Sequence, residues 1–389
     1  MRLSDVAIPL DLAWSSPFCR WQGELAEMSS VDLAVDVAGR ALAAREFDVD
    51  EVSHVAFGTT VPQPTSFYGV TTITPRLGMA AVTGPTIAQA CATSAAVVQA
   101  AAVQVELGAH RTVLALTTDR TSNGPLLVWS SQDTPGAAPH TEHWVLDPMR
   151  HDPNTGQSMV DTAENVAADE GYTRTEIDEV TLLRYEQYRS GSRDHLVEVR
   201  VPGRRGERVV TDDTGVRATT AEGLAKLSPG RPDGVVTYGS QTHPADGTAG
   251  LVLSTLDRAR ELSGGAGIAR ILAVAFARAG RARMPVAPVP AARAALADAG
   301  LDVGEISVVT THNPFAVNDL HFARQTGFPL DRMNPYGSSL VYGHPQGPTG
   351  MRAVVELVSA LRARGGGRGL FTGCAAGDTA GAVVVEVTE

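Results

Sequence analysis

Two cysteines have the surroundings expected of reactive thiols. Cys91 lies in "TIAQACATSAAVVQ", directly before a predicted helix, where the positive end of the helix dipole favours a thiolate. Cys374 lies in "GCAAGD", a turn of small residues whose backbone N–H groups are open to a ligand. Buried cysteines also pack as small apolar side chains, so residue type alone leaves both interpretations open.

Two histidines occupy positions that suit a base or a hydrogen-bond donor. His344 lies in "GSSLVYGHPQGPTG", a turn rich in glycine and proline directly ahead of a predicted helix. His312 ends the predicted buried strand in "VVTTHNPF", where a side chain leaves the sheet edge and reaches a cleft. An imidazole beside a thiol forms a nucleophile–base pair, so the question is whether the chain brings these residues together.

A repeat in the sequence predicts that the chain brings these cysteines and histidines together. "AGRALAAREFDVDEVSHVAFG" begins at Ala38 and "ARAALADAGLDVGEISVVTTH" at Ala292, and their residues match at a constant offset of 254. Each copy predicts a helix, a turn and a buried strand, followed by a glycine-rich turn, a second helix and another strand. The pattern indicates an α/β fold of two similar halves packed face to face. Pseudo-symmetry then places the turns of Cys91 and His344 at one interface.

Three regions follow from this pattern. We predict an N-terminal half over residues 1–118, completed by about 245–256, a loop domain over 119–244 and a C-terminal half over 257–389. The loop domain is rich in Asp, Pro, Gly and Arg, contains one clear helix, "MVDTAENVAADEGYT", and is expected to contact the substrate. The helix at about 93–107 is apolar almost all round, which predicts burial between layers without a solvent face.

Composition excludes several classes of protein. A net charge of -11 argues against nucleic-acid binding, and 43% hydrophobic with 19% charged residues is typical of a globular protein. Because no run approaches about 18 apolar residues, we predict no membrane span. Three cysteines without a secretory-signal pattern predict reduced thiols and a cytoplasmic location. No CxxC or clustered His/Cys spacing occurs, so no metal site is predicted.

Four segments together resemble one family, the thiolases, over nearly the whole chain. They are "QACATS", "MVDTAENVA", "NPYGSSLVYGHPQGPTG" and "GCAAGDTAGAVVVEV". The resemblance implies the five-layer αβαβα thiolase fold, with two duplicated halves and an inserted loop domain. It also implies acyl transfer between coenzyme A thioesters, by Claisen condensation or by CoA-dependent cleavage of a 3-ketoacyl-CoA. Coenzyme A would be substrate or product rather than a cofactor, and a homodimer or tetramer is expected.

Roles for the four residues follow from the same resemblance. Cys91 would become acylated, His344 would take its proton, and Cys374 would transfer the proton at the carbon alpha to the thioester. His312 would support an oxyanion hole, directly or through water. Its "HNPF" segment is similar to that of the sterol-carrier-protein type and archaeal thiolases.

Substrate contacts are implied as well. Thr242 falls where the family often has a serine beside the pantetheine arm, and the other implied contacts are Met159, Phe315 and Ala376. The chain departs from the family at Thr93, where serine is usual, and at Ala376, where glycine is usual.

Two alternatives stay open at this point. A decarboxylating ketoacyl synthase of the same superfamily uses Cys-His-His or Cys-His-Asn sets without a second reactive cysteine, so Cys374 argues against it. The other alternative is a non-catalytic, thiolase-like subunit that scaffolds a partner enzyme, for which the unusual "CATS" and "HNPF" segments leave room.

Overall fold

Helices and strands alternate along most of the chain in a computed structural model that describes residues 1–131, 135–203 and 206–388. The strands are β1 (Ala7–Pro9), β2 (Ala13–Ser15), β3 (Cys19–Arg20), β4 (His54–Gly58), β5 (Thr86–Ile87), β6 (Thr112–Arg120), β7 (Leu126–Trp129), β8 (His140–His143), β9 (Val199–Val201), β10 (Arg208–Val210), β11 (Ala245–Ser254), β12 (Ile268–Arg278), β13 (Val308–His312), β14 (Gly367–Ala375) and β15 (Thr379–Thr388). The helices are α1 (Ser30–Ala43), α2 (Val70–Ile73), α3 (Thr93–Glu106), α4 (Leu146–Arg150), α5 (Met159–Glu170), α6 (Arg174–Ser190), α7 (Ala221–Ala225), α8 (Leu256–Leu262), α9 (Pro288–Ala299), α10 (Ala316–Thr326), α11 (Ser339–Tyr342) and α12 (Gly347–Ala363).

The two halves share one strand order. In the first half β4 runs parallel to β5 and β6, β6 pairs antiparallel with β11, and β11 with β2. In the second half β13 runs parallel to β14, β14 pairs antiparallel with β15, and β15 with β12. The short strand β1 pairs with both β11 and β12, and so joins the two sheets into one hydrogen-bonded path. The duplication seen in the sequence is therefore a duplication of topology.

Helices cover both sheets and fill the space between them. Helix α1 packs on β6 and β11, and α9 packs on β12, β14 and β15. Helices α3 and α12 lie between the sheets, where they contact each other and strands of the two halves. They begin at Thr93 and Gly347, the same 254 residues apart as the repeats. This arrangement confirms the predicted layered α/β thiolase fold.

Helix α3 is buried on one side only, which corrects the expectation of burial all round. Val97, Val98 and Ala101 have no exposed surface, whereas Gln99 and Gln104 on the other face are partly exposed. The reason is that α12 and the first sheet cover one face of α3, and the glutamines of the other face keep their amides in contact with water.

The region between the halves contains more helix than the sequence predicted. Helix α5 is the expected one, and a capping box between Ser158 and Asp161 fixes its start. The 17-residue helix α6 was missed, because polar Arg184 and Gln187 interrupt its buried apolar stripe. A capping box of Thr173 and Glu176 precedes it and was the available sequence signal.

A buried ion pair ties this region to the helix that follows His344. Arg352 of α12 donates two hydrogen bonds to Asp213, at 2.6 and 2.8 Å, and both side chains are buried. The guanidinium also stacks on the ring of Tyr342, 3.7 Å from its centroid. Since such a paired charge is costly to separate in the interior, the contact holds the loop region against α12. No helix in the described residues is long and apolar enough to cross a membrane.

Candidate active site

Cys91 lies on a tight turn between β5 and α3. The Thr93 hydroxyl closes this turn, because it accepts from the backbone N–H of Gln89 at 2.8 Å and donates to the carbonyl of Ala90 at 2.7 Å. Ala90 has a φ of 45°, a left-handed conformation that turns the chain sharply into the helix. The hydroxyl of Thr93 therefore stabilises the turn, and the methyl group that a serine would lack is buried.

Burial acts against the thiolate that the start of the helix favours at Cys91. Burial raises its pKa, and this effect exceeds the opposing contribution of a backbone hydrogen bond from Ala376. The helix dipole acts near its end, but the charged form has lost the solvation that water would provide. Activation of Cys91 therefore requires a base.

His344 is placed to act as that base. Its Nε2 lies 3.1 Å from the Sγ of Cys91, and its Nδ1 lies 2.6 Å from the hydroxyl of Thr349 in the first turn of α12. The backbone N–H of His344 also donates to the carbonyl of His243 at 2.8 Å, so both the ring and the main chain are held. Burial lowers the pKa of His344, which keeps the imidazole neutral and able to accept the thiol proton.

Cys374 lies at the end of β14 and is fully buried. The side-chain amide of Asn318, in α10, donates to its Sγ at 3.2 Å. Burial, followed by the nearness of Cys91, raises the pKa of Cys374 well above its usual value, while the Asn318 hydrogen bond acts in the opposite direction. Cys374 is thus a protonated thiol with one defined hydrogen-bond donor.

His312 ends β13 and is held beside His344. The two rings stack with centroids 4.1 Å apart. The Nδ1 of His312 lies 2.9 Å from the hydroxyl of Ser339, and its buried Nε2 has no protein partner in the described residues. Burial, followed by the nearness of His344, lowers the pKa of His312 well below its usual value. A neutral imidazole with one free ring nitrogen is therefore available at the site.

The turn after Cys374 tolerates alanine where the family has glycine. Left-handed φ angles fall on Gly377 (84°) and Asp378 (59°), and Ala376 is not among the residues with a positive φ. Its backbone N–H is directed at the sulfur of Cys91. A Cβ at position 376 therefore leaves this donor in place.

One cavity is lined by all eight site residues that were predicted from the sequence. It has about 740 Å³ of open space, including its mouth, and its wall is mostly apolar. The predicted residues that line it are Cys91, His344, Cys374, His312, Thr242, Met159, Phe315 and Ala376. The sequence interpretation did not identify Thr121, Val145, Leu146, Met149, Pro244, Met284, Pro314 and Gln346, which complete the wall. Five of these come from the loop region, where no motif identified them.

Three residues that position the reactive groups were also missed. They are Asn318, Ser339 and Thr349, which contact Cys374, His312 and His344. Ser339 and Thr349 fall within the quoted motif around His344. Thr349 is only five residues from its partner, whereas Ser339 is 27 residues from His312, and in both cases only the fold reveals the contact.

The site also brings potential metal ligands together. Ligand atoms of Cys91, His312 and His344 lie within 4.8 Å of one another, a cluster that no sequence spacing indicated. The rings of the two histidines are stacked rather than convergent, which is a poor arrangement for two imidazoles on one ion. The absence of a metal stays a prediction.

A second, more polar pocket adjoins the cavity and shares Pro244 with it. Arg20 and Arg217 give it positive charge, and Trp21 and Tyr185 contribute aromatic rings. His243, whose carbonyl holds the backbone of His344, also lines this pocket. An anionic ligand with a flat ring fits such a surface.

Comparison with known proteins agrees with this geometry. The thiolase N-terminal domain matches residues 12–257, and the thiolase C-terminal domain matches residues 266–387. The acetyl-CoA acetyltransferase of Syntrophomonas wolfei is 27% identical, over 96% of this chain and 97% of that protein. The beta-ketoadipyl-CoA thiolase of Pseudomonas knackmussii is 30% identical, over 92% and 94%. The crystal structure of the Bacillus anthracis acetyl-CoA acetyltransferase superposes with a TM-score of 0.91 at 29% identity, covering 99% of each chain.

Proposed function

The chain belongs to the thiolase family, and we propose that it transfers acyl groups between coenzyme A thioesters through an acyl-Cys91 intermediate. The observation that carries this proposal is the 3.1 Å contact between Cys91 Sγ and His344 Nε2, in a cavity that Cys374 and His312 also line. A thiol, its base, a second thiol and a free imidazole are the groups that the reaction needs.

The first step is attack of Cys91 on a 3-ketoacyl-CoA. His344 Nε2 takes the thiol proton while Thr349 holds the opposite ring nitrogen, and the thiolate adds to the 3-keto carbon. The backbone N–H of Ala376, which faces the sulfur, stabilises the oxygen that becomes negative. Collapse of this adduct breaks the bond between carbons 2 and 3 and leaves the shortened acyl group on Cys91.

Cys374 completes this step. The electron pair of the broken bond becomes the enolate of acetyl-CoA, and the Cys374 thiol protonates its carbon. When the proton of His312 is on Nε2 and its Nδ1 accepts from the Ser339 hydroxyl, 2.9 Å away, the ring can donate to the enolate oxygen. The thiol of a second coenzyme A then attacks the acyl-Cys91 thioester, transfers its proton to a site base and releases the shortened acyl-CoA. Condensation is the reverse of this sequence.

We propose that the polar pocket receives the phosphate groups of coenzyme A. Arg20 and Arg217 are the cations of its wall, and the shared Pro244 places it next to the cavity that holds the thiols. A phosphate at this pocket would leave the thiol end of the molecule free to enter the cavity.

The two alternatives are not favoured. Both thiolase domains match nearly the whole chain, and Cys374, which a decarboxylating synthase would lack, lies in the same cavity as Cys91. A scaffold has no need for the three positioning contacts from Asn318, Ser339 and Thr349.

We also propose that the chain forms a homodimer or a tetramer. Strand β5 is a sheet edge, and Phe67 and Tyr68 nearby are 93% and 75% exposed. Leu126, Val128 and Trp129 of β7 are also exposed apolar side chains. Sedimentation velocity tests the assembly, and a monomer at micromolar concentration would contradict it. The cytoplasmic location stays a prediction.

The acyl-enzyme is the decisive test of the function. Incubation with acetyl-CoA should add one acetyl group to Cys91, detectable by peptide mass spectrometry, and the label should disappear in Cys91→Ala. Cys19→Ala, at a buried cysteine outside the cavity, should keep the label. Absence of both the label and CoA-dependent cleavage of 3-ketoacyl-CoAs of any length would overturn the proposal.

A further inference from the structure

Asp319, in the first turn of α10, is a buried carboxylate that is not among the residues lining the cavity. Its partner is Arg184 of α6, whose Nε lies 2.7 Å from Oδ2, and neither side chain has any exposed surface. Arg184 is held in turn by the carbonyls of Leu330 and Met333, at 3.1 and 3.2 Å. Since a buried charge without its partner is costly, this pair keeps the carboxylate in one place.

Asp319 holds the end of β13 on both sides of His312. The hydroxyl of Thr311 donates to its Oδ1 and the side-chain amide of Asn313 donates to its Oδ2, each at 2.6 Å. Because side chains alternate along a strand, these two face the carboxylate while the imidazole between them faces the cavity. Asn334 adds a third contact, because its Oδ1 accepts from the backbone N–H of Thr311 at 2.7 Å and its Nδ2 donates to Asp319 at 3.1 Å. The backbone that carries the His312 ring is therefore fixed from the side opposite the cavity.

The amide of Asn313 also links Asp319 to the partner of the His312 ring. Its Nδ2 must face the carboxylate, which accepts hydrogen bonds and does not donate them, so its Oδ1 points the other way. That oxygen lies 3.4 Å from the hydroxyl of Ser339, and the same hydroxyl lies 2.9 Å from the Nδ1 of His312. Asp319 is thus connected to the imidazole both through the backbone and through the residue that contacts the ring.

The same carboxylate fixes the residue that donates to Cys374. Asn318 precedes Asp319 in α10, and its amide donates to the Sγ of Cys374 at 3.2 Å. Consecutive side chains of a helix point about 100° apart on one rigid backbone, so the contacts that hold Asp319 also fix the direction of Asn318. Burial and the nearness of Cys91 raise the pKa of Cys374, and the negative charge of Asp319 adds to this effect. The charge thereby favours the protonated thiol, the form that can return a proton to the enolate.

His312 and Cys374 serve the same stage of the proposed reaction, because both act on the enolate. The transfer of the acyl group depends on a different pair, Cys91 and His344. In the part of the chain that the structure describes, the hydrogen bonds of Asp319 reach neither member of that pair. The contacts of the carboxylate thus follow the division of the reaction into two stages.

We propose that Asp319 is a positioning residue for the enolate stage, and that the transfer of the acyl group to and from Cys91 does not depend on it. Asp319 would act without touching the substrate, by holding His312 and the amide that donates to Cys374 in a fixed relation. The inference rests on the proposed thiolase function and assigns this buried carboxylate to one of its two stages.

Two reactions of acetyl-CoA measure these stages separately. Exchange of its α-protons with deuterium follows the enolate, and exchange of its acetyl group with isotopically labelled coenzyme A follows acyl-Cys91. Thr311→Val removes the hydroxyl that meets Oδ1, so proton exchange should slow by about tenfold while acetyl exchange changes by less than about twofold. Thr311→Ser keeps the hydroxyl and should restore proton exchange. Thr310→Val, at a buried threonine of the same strand that donates to the carbonyl of Ala353 instead, should leave the ratio of the two rates unchanged.

A second variant protects the test against misfolding. Asp319→Asn leaves Arg184 buried without its charged partner, which destabilises the fold. Asn313→Ala leaves that pair intact, removes the other contact beside His312 and should also slow proton exchange selectively. Equal losses of both exchange reactions in Thr311→Val and Asn313→Ala would overturn the inference, and so would unchanged proton exchange in both. If the unaltered enzyme catalyses neither exchange, the proposed function fails and the inference falls with it.

Discussion

The imidazole rings of His312 and His344 stack with their centroids 4.1 Å apart and their planes inclined by 24°. His344 faces Cys91 with its Nε2, and the Nε2 of His312 has no partner among the residues that the structure describes. A positive charge on one ring would repel a charge on the other, and burial disfavours both. Two neutral imidazoles can therefore take different roles: His344 can accept the proton of Cys91, and His312 can donate a hydrogen bond to the substrate.

Alkylation of Cys91 by iodoacetamide should keep accelerating from about pH 7 to about pH 10. Burial raises the pKa of this thiol to about 11, so the thiolate fraction grows about tenfold per pH unit throughout that range. Cys19, whose pKa burial also raises, is an internal reference and should react more slowly. Site-resolved mass spectrometry provides the rates. A plateau reached below pH 7 would show a resting thiolate–imidazolium pair and contradict the neutral pair described above.

Ser339→Ala should lower kcat by about 10- to 100-fold with little change in KM. Without the hydroxyl at Nδ1, His312 loses the partner that keeps its proton on Nε2, and an oxyanion donor is weakened. The ¹⁵N chemical shifts of the His312 ring should show the altered tautomer directly. Ser338→Ala is the matched control, because the neighbouring hydroxyl is buried without a partner in the described residues. Equal effects of the two substitutions would exclude a positioning role for Ser339.

Asn318→Ala should slow the exchange of the α-protons of acetyl-CoA with deuterium by about tenfold. The substitution removes the donor at 3.2 Å that favours the thiolate form of Cys374 in a site where burial opposes it. Acylation of Cys91 should continue, since Asn318 does not contact that residue. NMR follows the exchange, and mass spectrometry follows the acylation. Loss of both activities in parallel would indicate a general structural defect instead.

Arg217→Ala should raise the KM for coenzyme A by about tenfold and leave kcat nearly unaltered. The lost contact is with a phosphate that does not react, so binding weakens equally in the ground state and the transition state. Added salt should reduce the difference between the two enzymes. Arg260→Ala, an exposed arginine paired with Asp257, is the control for surface charge. An unchanged KM would remove the polar pocket from the coenzyme A site.

The sequence predicted the fold, and it identified residues that line one cavity, because both leave local patterns. The catalytic roles of these residues stay predictions. The repeat shows itself in matched residues, and the turns around Cys91 and His344 carry glycine, proline and small residues in fixed positions. The division into three regions and the "HNPF" subtype stay predictions. The rise in the pKa of Cys91 was not predicted, since a local helix dipole is visible in the sequence and the loss of water around the sulfur is not.

Other features depend on contacts between distant segments. Asn318 and Cys374 are 56 residues apart, and no spacing rule links an asparagine in a helix with a thiol at a strand end. Helix α6 was not predicted from the sequence for a related reason. Its Arg184 looks like a surface residue in the sequence and is buried only because Asp319 pairs with it. Pairing of this kind becomes visible only after folding.

Helices α3 and α12 start at equivalent positions in the two copies, yet one start presents the sulfur that attacks and the other the imidazole that activates it. If a single ancestral unit once met its twin across a symmetry axis, both corners had the same residue. A thiol opposite an imidazole is then a distinction that joining the two units into one gene made possible. Because Cys91 and His344 belong to different copies, neither half contains the pair by itself.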